Sequence, residues 1–404
     1  MGFLDKWLSK TPEKSEFARI MIEAFRRTGL HDIDYQESNF SLKIRGTDRV
    51  IYLSNAYSSY CSADKRSRDT VVAKYVSGAV SVPDVPPSYA IAKPNLMPVV
   101  RDASYYSLAE LTFRAQGGDT KSSTPTSPLS GELVVGLAYD AEHSMTMLYQ
   151  KNLDDWNVTL DQALKDATDN LRDRTDPNLL SEEAPDVYVG RWGDSYESAR
   201  MLLTDLVYRL SVDGDPVVFV PNRNSFWVTG KDNPTALAKL LQLGEKSHFG
   251  AHPLSPNLYS LDDGMWRLYI PNDVALRKSW LAIKRRRDAL DYTQQKESLD
   301  AIHEKEDRYI FVANCRIFER KDGTGLMSAC SWARGVDSLL PKTDYLFFVV
   351  DPDAEDIVQL PWGDALPIVG SLLEEQPDLK PIRYRVRSFP DERQLKELRT
   401  LAVR

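Results

Sequence analysis

Cysteine is scarce in this chain. Only Cys61, Cys315 and Cys330 occur among 404 residues, an odd and scattered set that makes no disulfide framework, and no CxxC pair offers a zinc site. A reducing, cytoplasmic setting is the expectation. Long apolar runs are missing as well. The longest, LFFVV at 346–350, has the length of a buried strand and falls far short of the ~20 residues of a bilayer span. The opening MGFLDKWLSK has neither the apolar core nor the cleavage site of a signal peptide. Its Phe3, Leu4, Trp7 and Leu8 share one helical side and read as a short helix packed on its own domain, and Lys6 breaks the myristoylation pattern. Basic charge is not in excess either. A net charge of −8 argues against nonspecific nucleic-acid binding, which needs a basic surface. GxSxG, HExxH, the P-loop and GxGxxG are all absent, so no motif compels a reaction, a cofactor or a metal.

What the chain does have is patterned globular sequence. With 404 residues and 42% hydrophobic content it exceeds one ordinary core, and two or three domains are expected. Residues 1–81 read as a small helix–strands–helix domain. Its first helix has Thr11 as cap and Pro12 at the first position; its strands are DIDYQES, FSLKIRG and RVIYLSNAY. The proline-rich stretch 82–94 reads as a linker. Residues 95–271 form a central domain of strands and amphipathic helices, interrupted by a disordered loop at 117–131. Residues 272–307 read as a charged connector helix and 308–404 as a β-rich extension. The fold class expected is α+β.

The strongest pattern is NLDDWNVTLDQALKDATDNLRD, 152–173. Trp156, Leu160, Ala163, Leu164, Ala167 and Leu171 recur at helical spacing, Thr159 and Gln162 form a capping box, and the aspartates are expected on the wet side. Asp194 and Glu197 suggest a second capping box opening another helix. PVVFVPNRNSFWVTGKDNPTALAKLLQLG and DYLFFVVDPDAEDIVQLPWGDALPIVGSLL echo each other as strand, turn, strand and capped helix, a unit common enough to need no duplication.

Four clusters suggest chemistry and then fall short of it. His248 and His252 have the spacing of paired helical ligands, but Gly244 and Gly250 read as helix breakers. DPDAED at 351–356 departs from the EF-hand loop at its sixth and twelfth positions and reads as a turn. KRRR at 284–287 is one basic spot. Arg383, Arg385 and Arg387 alternate on one strand face, which reads as an edge strand guarded by charge.

The segments MPVVR, LDDW, ATDNL, GDSYESARMLL and VVFVPNRN, in that order, resemble the YtpQ family of bacterial proteins, a family without an assigned activity. The resemblance covers about residues 10–270; the loop at 117–131 and everything after about 275 depart from it. It directs attention to Arg101, Asn170, Tyr196, Arg200, Asn222 and Arg223 as a candidate anion site, where guanidiniums and a helix N-terminus would hold a carboxylate or phosphate. The competing reading has Arg200 locked to Asp194 or Glu197. The function expected is a non-catalytic binding or protein-interaction module, whose partner is a protein or a small anionic ligand. An enzyme acting on an anionic small molecule through the arginines, and a chaperone-like module gripping a partner segment, are the alternatives.

Overall fold

The computed structural model describes residues 12–402 apart from 38–39, 46–49, 81–84, 119–122, 142–144, 249, 321–324 and 354, and apart from the side chains of Val50, Lys246 and His248. The N-terminal decapeptide and Thr11 therefore lie outside the described residues. In α1 (Lys14–Arg27), Phe17, Ala18, Met21 and Phe25 bury one helical face, and Glu13 takes the cap position. The strands β1 (Ile33–Gln36), β2 (Ser41–Ile44) and β3 (Val50–Tyr52) make an antiparallel sheet. The latter half of RVIYLSNAY turns into a helix, α2 (Ser54–Ser62), because Tyr57 and Tyr60 then pack at a tilt against Phe17. The unit closes with α3 (Arg68–Val80).

Part of the expected linker is ordered. α4 (Tyr89–Ala92) and a 3-10 turn at Lys93–Asn95 lead into β4 (Leu96–Asp102), every residue of which is buried. α5 (Ala103–Ala115) follows. β5 (Ser127–Ser130), inside the stretch expected to be disordered, pairs with β6 (Leu133–Asp140), which also pairs with β4 and with β7 (Met145–Met147). The 152–173 stretch is two helices, α6 (Gln150–Trp156) and α7 (Leu160–Asp173), parted at Asn157, whose φ of 54° ends the first. Against the expectation that all its acids face water, Asp166 is buried. It accepts from Tyr89 Oη at 2.6 Å and pairs with Lys93 at 3.1 Å, so this charge is compensated.

A six-stranded antiparallel sheet comes next, in the order β13-β12-β10-β11-β9-β8. Its strands are β8 (Leu180–Ala184), β9 (Val187–Gly190), β10 (Pro216–Phe219), β11 (Trp227–Gly230), β12 (Leu258–Asp262) and β13 (Met265–Tyr269). The helix expected from Asp194 is instead a 3-10 turn (Glu197–Leu202) followed by α8 (Thr204–Tyr208), because Leu203 leaves helical geometry between them. α9 (Pro234–His248) runs straight through Gly244. That glycine is a packing site rather than a breaker, since a Cβ there would overlap the buried Phe219 ring.

The 32-residue α10 (Val274–Lys305) then crosses to the C-terminal part. That part contains β14 (Phe311–Val312), β15 (Arg316–Glu319), β16 (Leu326–Ala333), β17 (Ser338–Pro341), β18 (Tyr345–Asp351), β19 (Asp356–Pro361), α11 (Trp362–Val369), β20 (Glu374–Gln376), β21 (Arg383–Val386) and α12 (Glu392–Ala402). They build two mixed sheets, β14-β17-β21-β20 and β15-β16-β18-β19. The hairpins β10–β11 and β18–β19 both precede a helix, so the two echoing segments share one local form. The class is α+β. Among the described residues no helix is long and apolar enough to cross a membrane.

Candidate functional site

Among the described residues three arginines are almost wholly buried: Arg200 and Arg383 at 0% exposure and Arg101 at 3%. An isolated buried guanidinium is expensive, so what each one touches separates structure from function. Arg200 is saturated. It grips Asp194 with two hydrogen bonds of 3.0 and 2.8 Å, donates Nε to Thr175, and lies 4.0 Å from the Trp192 ring centre. Arg383 is saturated by neutral acceptors, donating to Gln295 Oε1 and to the carbonyls of Ala313, Leu339 and Tyr292. Arg101 is not. Among the described residues it has no ion pair; Nη1 donates to the carbonyl of Val100 at 2.8 Å, and its buried Nε has no partner.

β4 explains how Arg101 got there. The strand lies between α7 and the packed side chains of the central core, so both its faces are buried and its last residues are carried inside. Around Arg101 collect residues from distant segments. Arg223 lies 5.0 Å from the centre of the Tyr105 ring, and Arg101 lies 6.0 Å from the same ring. Arg223 has a buried Nε without a partner and no ion pair among the described residues. The segments 220–223 and 252–255 are zipped together by backbone bonds, including Arg223 N–H to the His252 carbonyl at 3.1 Å. That zipper brings His252 in. Its Nε2 bonds Tyr75 Oη at 2.9 Å, and its buried Nδ1 is unpartnered. The buried Tyr106 hydroxyl is unpartnered too, in space that Gly136 leaves open, where a Cβ would stand 2.8 Å away.

Electrostatics agree with this grouping. Burial, then the charge of Arg223, pushes Arg101 down to about 10. Burial followed by Arg223, Arg101 and Lys74 pushes His252 down to about 4, so it is neutral near pH 7. Burial raises Tyr106 to about 12. The cluster is thus two cations, a neutral imidazole and three tyrosines, with four polar atoms left over: Arg101 Nε, Arg223 Nε, Tyr106 Oη and His252 Nδ1.

Of the six candidate residues, Arg101 and Arg223 meet here. Tyr196 stands close enough to Arg101 to feel its charge, with its hydroxyl donated to Asp140 at 2.9 Å. The rest serve the fold. Arg200 is the pin described above. Asn170 donates to the carbonyls of Lys93 and Leu96 at the far end of β4, tying α7 to that strand. Asn222 bonds Ser247 and accepts from Asn224 N–H, shaping its loop. Comparison with known proteins adds no guide. No family model, curated protein or solved structure matches the chain. Sequence reading missed Tyr75, Tyr105 and Tyr106, and weighed His252 only as a ligand paired with His248. The Tyr105–Tyr106 pair, four and five residues after Arg101, was the available signal for two of them.

The other expected basic spots are committed to ion pairs or hydrogen bonds. Lys284, Arg285, Arg286 and Arg287 pair with Asp288, Asp344, Glu245 and Asp291. β21 is an interior strand, not an edge, so Arg383 is buried, while Arg385 pairs with Asp337 and Arg387 with Glu374. The His248 side chain lies outside the described residues. Asp351–Asp356 is the β18–β19 hairpin turn, and among the described residues no group of three His, Cys, Asp or Glu is placed to hold a metal. A cleft of about 580 Å³ opens between α9, β13 and the start of α10, but two of its cations are already paired, Lys231 with Asp215 and Arg267 with Asp262.

Asp102, next to Arg101 in β4, meets a different environment. It caps α5 through Ser104 N–H at 2.9 Å and lies near Glu132 and the buried Asp291, which Arg287 holds. Burial, then Glu132, raises Asp102 to about 7; burial raises Asp291 to about 6 against the pull of Arg287. Lys284, paired to Asp288, faces the same cluster. A carboxyl whose folded pKa is raised holds its proton while the unfolded chain has lost it, so stability falls as pH climbs from about 4 to about 7 and is flat above. Asp102→Asn keeps the cap and removes the charge. It should raise stability above pH 7 by on the order of 2–4 kcal/mol and flatten the pH dependence, which melting curves at acid and alkaline pH would show.

Proposed function

We propose that this chain is a YtpQ-like binding module that holds a small anion at the Arg101–Arg223 pair. The observation that carries the proposal is the contrast among the buried arginines: two are saturated by the fold, and Arg101, with Arg223 beside it, is left with an open Nε. A fold gains nothing by keeping an uncompensated guanidinium inside, so the missing partner is read as the ligand. The ordered succession from MPVVR to VVFVPNRN supports the family reading, and Arg101 and Arg223 come from its first and last segments.

The test is anion-dependent melting. A ligand at 100 times its Kd adds about 2.7 kcal/mol, so sulfate or phosphate should raise the wild-type melting temperature by several degrees. Arg223→Ala should melt normally without anion and show no such rise. Arg101→Met should lose the response too, yet melt higher than wild type when empty by about 1–3 kcal/mol, because it removes an uncompensated buried charge. No anion response in the wild type would refute the proposal.

A further inference from the structure

We infer that the anion site is proton-coupled: binding a dianion at Arg101 and Arg223 draws one proton onto Nδ1 of His252, so the site selects a tetrahedral dianion, a phosphate or phosphomonoester, and releases it as pH rises. This rests on the anion reading above and adds to it the ligand's charge and the site's control.

His252 is built to receive that proton. Its backbone is fixed: φ is +56°, its N–H donates to Asn55 Oδ1 at 3.0 Å, and its carbonyl accepts from Arg223 N–H. Its ring stacks on Tyr75 at 6.1 Å and 12°. Tyr75 Oη bonds both His252 Nε2 and Ser59 Oγ, each at 2.9 Å. A tyrosine hydroxyl can accept and donate at once, so an imidazolium at 252 would give its Nε2 proton to Tyr75 while Tyr75 gives its own to Ser59. This polar chain therefore accommodates either protonation state. The other nitrogen, Nδ1, is buried without a partner.

The surrounding charges decide which state prevails. Facing His252 are Lys74 and Tyr75 of α3, Asn55 and Ser59 of α2, Arg101 of β4 and Arg223 of the zippered loop. In the empty site burial, and after it the charges of Arg223, Arg101 and Lys74, hold the ring neutral. A monoanion offsets one guanidinium and leaves that field largely in place. A dianion offsets both, and the imidazolium then becomes a third donor to the ligand. Four open polar atoms from four segments, rather than one coplanar fork, suit the three or four oxygens of a tetrahedral phosphate better than the coplanar lone pairs of a carboxylate. The step balances simply: one proton leaves solvent and one N–H bond forms at Nδ1.

Sulfate is the probe, because its charge is fixed across the range while phosphate titrates. Calorimetry of sulfate binding to the full chain, in buffers of different ionisation enthalpy, counts protons taken up. Close to one proton per sulfate is expected near pH 6, with Kd weakening roughly tenfold from about pH 5 to about pH 6. His252→Gln should bind sulfate more weakly, with no proton uptake and a flat pH profile. Tyr75→Phe, which removes the Nε2 partner, should reduce the uptake. Sulfate binding by the wild type without proton uptake, or uptake that persists in His252→Gln, overturns proton coupling and leaves the anion site standing. Failure of sulfate to bind at either pH overturns both.

Discussion

Arg383→Met is expected to destabilise the C-terminal part by about 3–5 kcal/mol, the largest effect of any substitution considered. The guanidinium stands at 0% exposure and satisfies Gln295 and the carbonyls of Ala313, Leu339 and Tyr292. Those acceptors belong to α10, to β17, and to the residue following β14, so one side chain cross-links three segments. Methionine fills similar volume but leaves the acceptors facing hydrocarbon, at about 1–3 kcal/mol for each that water cannot reach. Burial pushes the Arg383 pKa down only to about 10, so the charge persists at every physiological pH. Urea unfolding followed through Trp332 and Trp362, both in the C-terminal core, would show the midpoint shift. A loss under about 1 kcal/mol would mean that water replaces the guanidinium. Arg383→Lys should fall between, since an ammonium is a point donor and cannot span the same acceptors.

Arg200→Ala is the second large effect, and it is expected to be a loss of stability rather than of binding. The side chain joins Asp194, Thr175 and the face of Trp192, thereby fastening the 3-10 turn to the end of α7. Removing it should cost about 3–4 kcal/mol, by exposing Asp194 to an unpaired, half-buried state and opening a hole beside Trp192. Below its lowered melting point the variant should bind sulfate with wild-type affinity. Arg223→Ala should do the reverse: normal melting, no binding. The two measurements together distinguish a pin from a ligand contact, and a loss of affinity in folded Arg200→Ala would return that residue to the site.

The class and most regular elements were legible because burial on one face writes a period into the chain. The stripes of α1 and α7 and the β10–β11 hairpin follow from it. Three kinds of feature escaped. Short elements such as β5 and β17 carry too few residues to show a period. Residues placed by close approach mislead, as Gly244 does, since nothing local distinguishes a glycine that admits Phe219 from one that ends a helix. Polar residues inside the molecule mislead most. Arg285, Gln295 and Arg383 read as solvated, yet each is held by partners far away in sequence. The anion site is of this third kind: Arg101 and Arg223 could be named as candidates, but His252 joins them through a backbone zipper that no local pattern announces.

That third kind also explains why α10 resists being called a linker. Its first half supplies Leu276, Trp280 and Ile283 to the core beneath α9, and its second half supplies Leu299 and Ile302 to a cluster shared by α5, β14 and β17. Arg285 and Tyr292 hold the C-terminal sheets from the same rod. A helix used by both neighbours has no residue at which the chain divides cleanly. Cutting before it uncovers Phe219 and Leu240; cutting after it strips the far sheets of the beam they hang from. Movement of one half should therefore be felt by the other as a tilt of a shared axle, with Asp102 seated at its bearing.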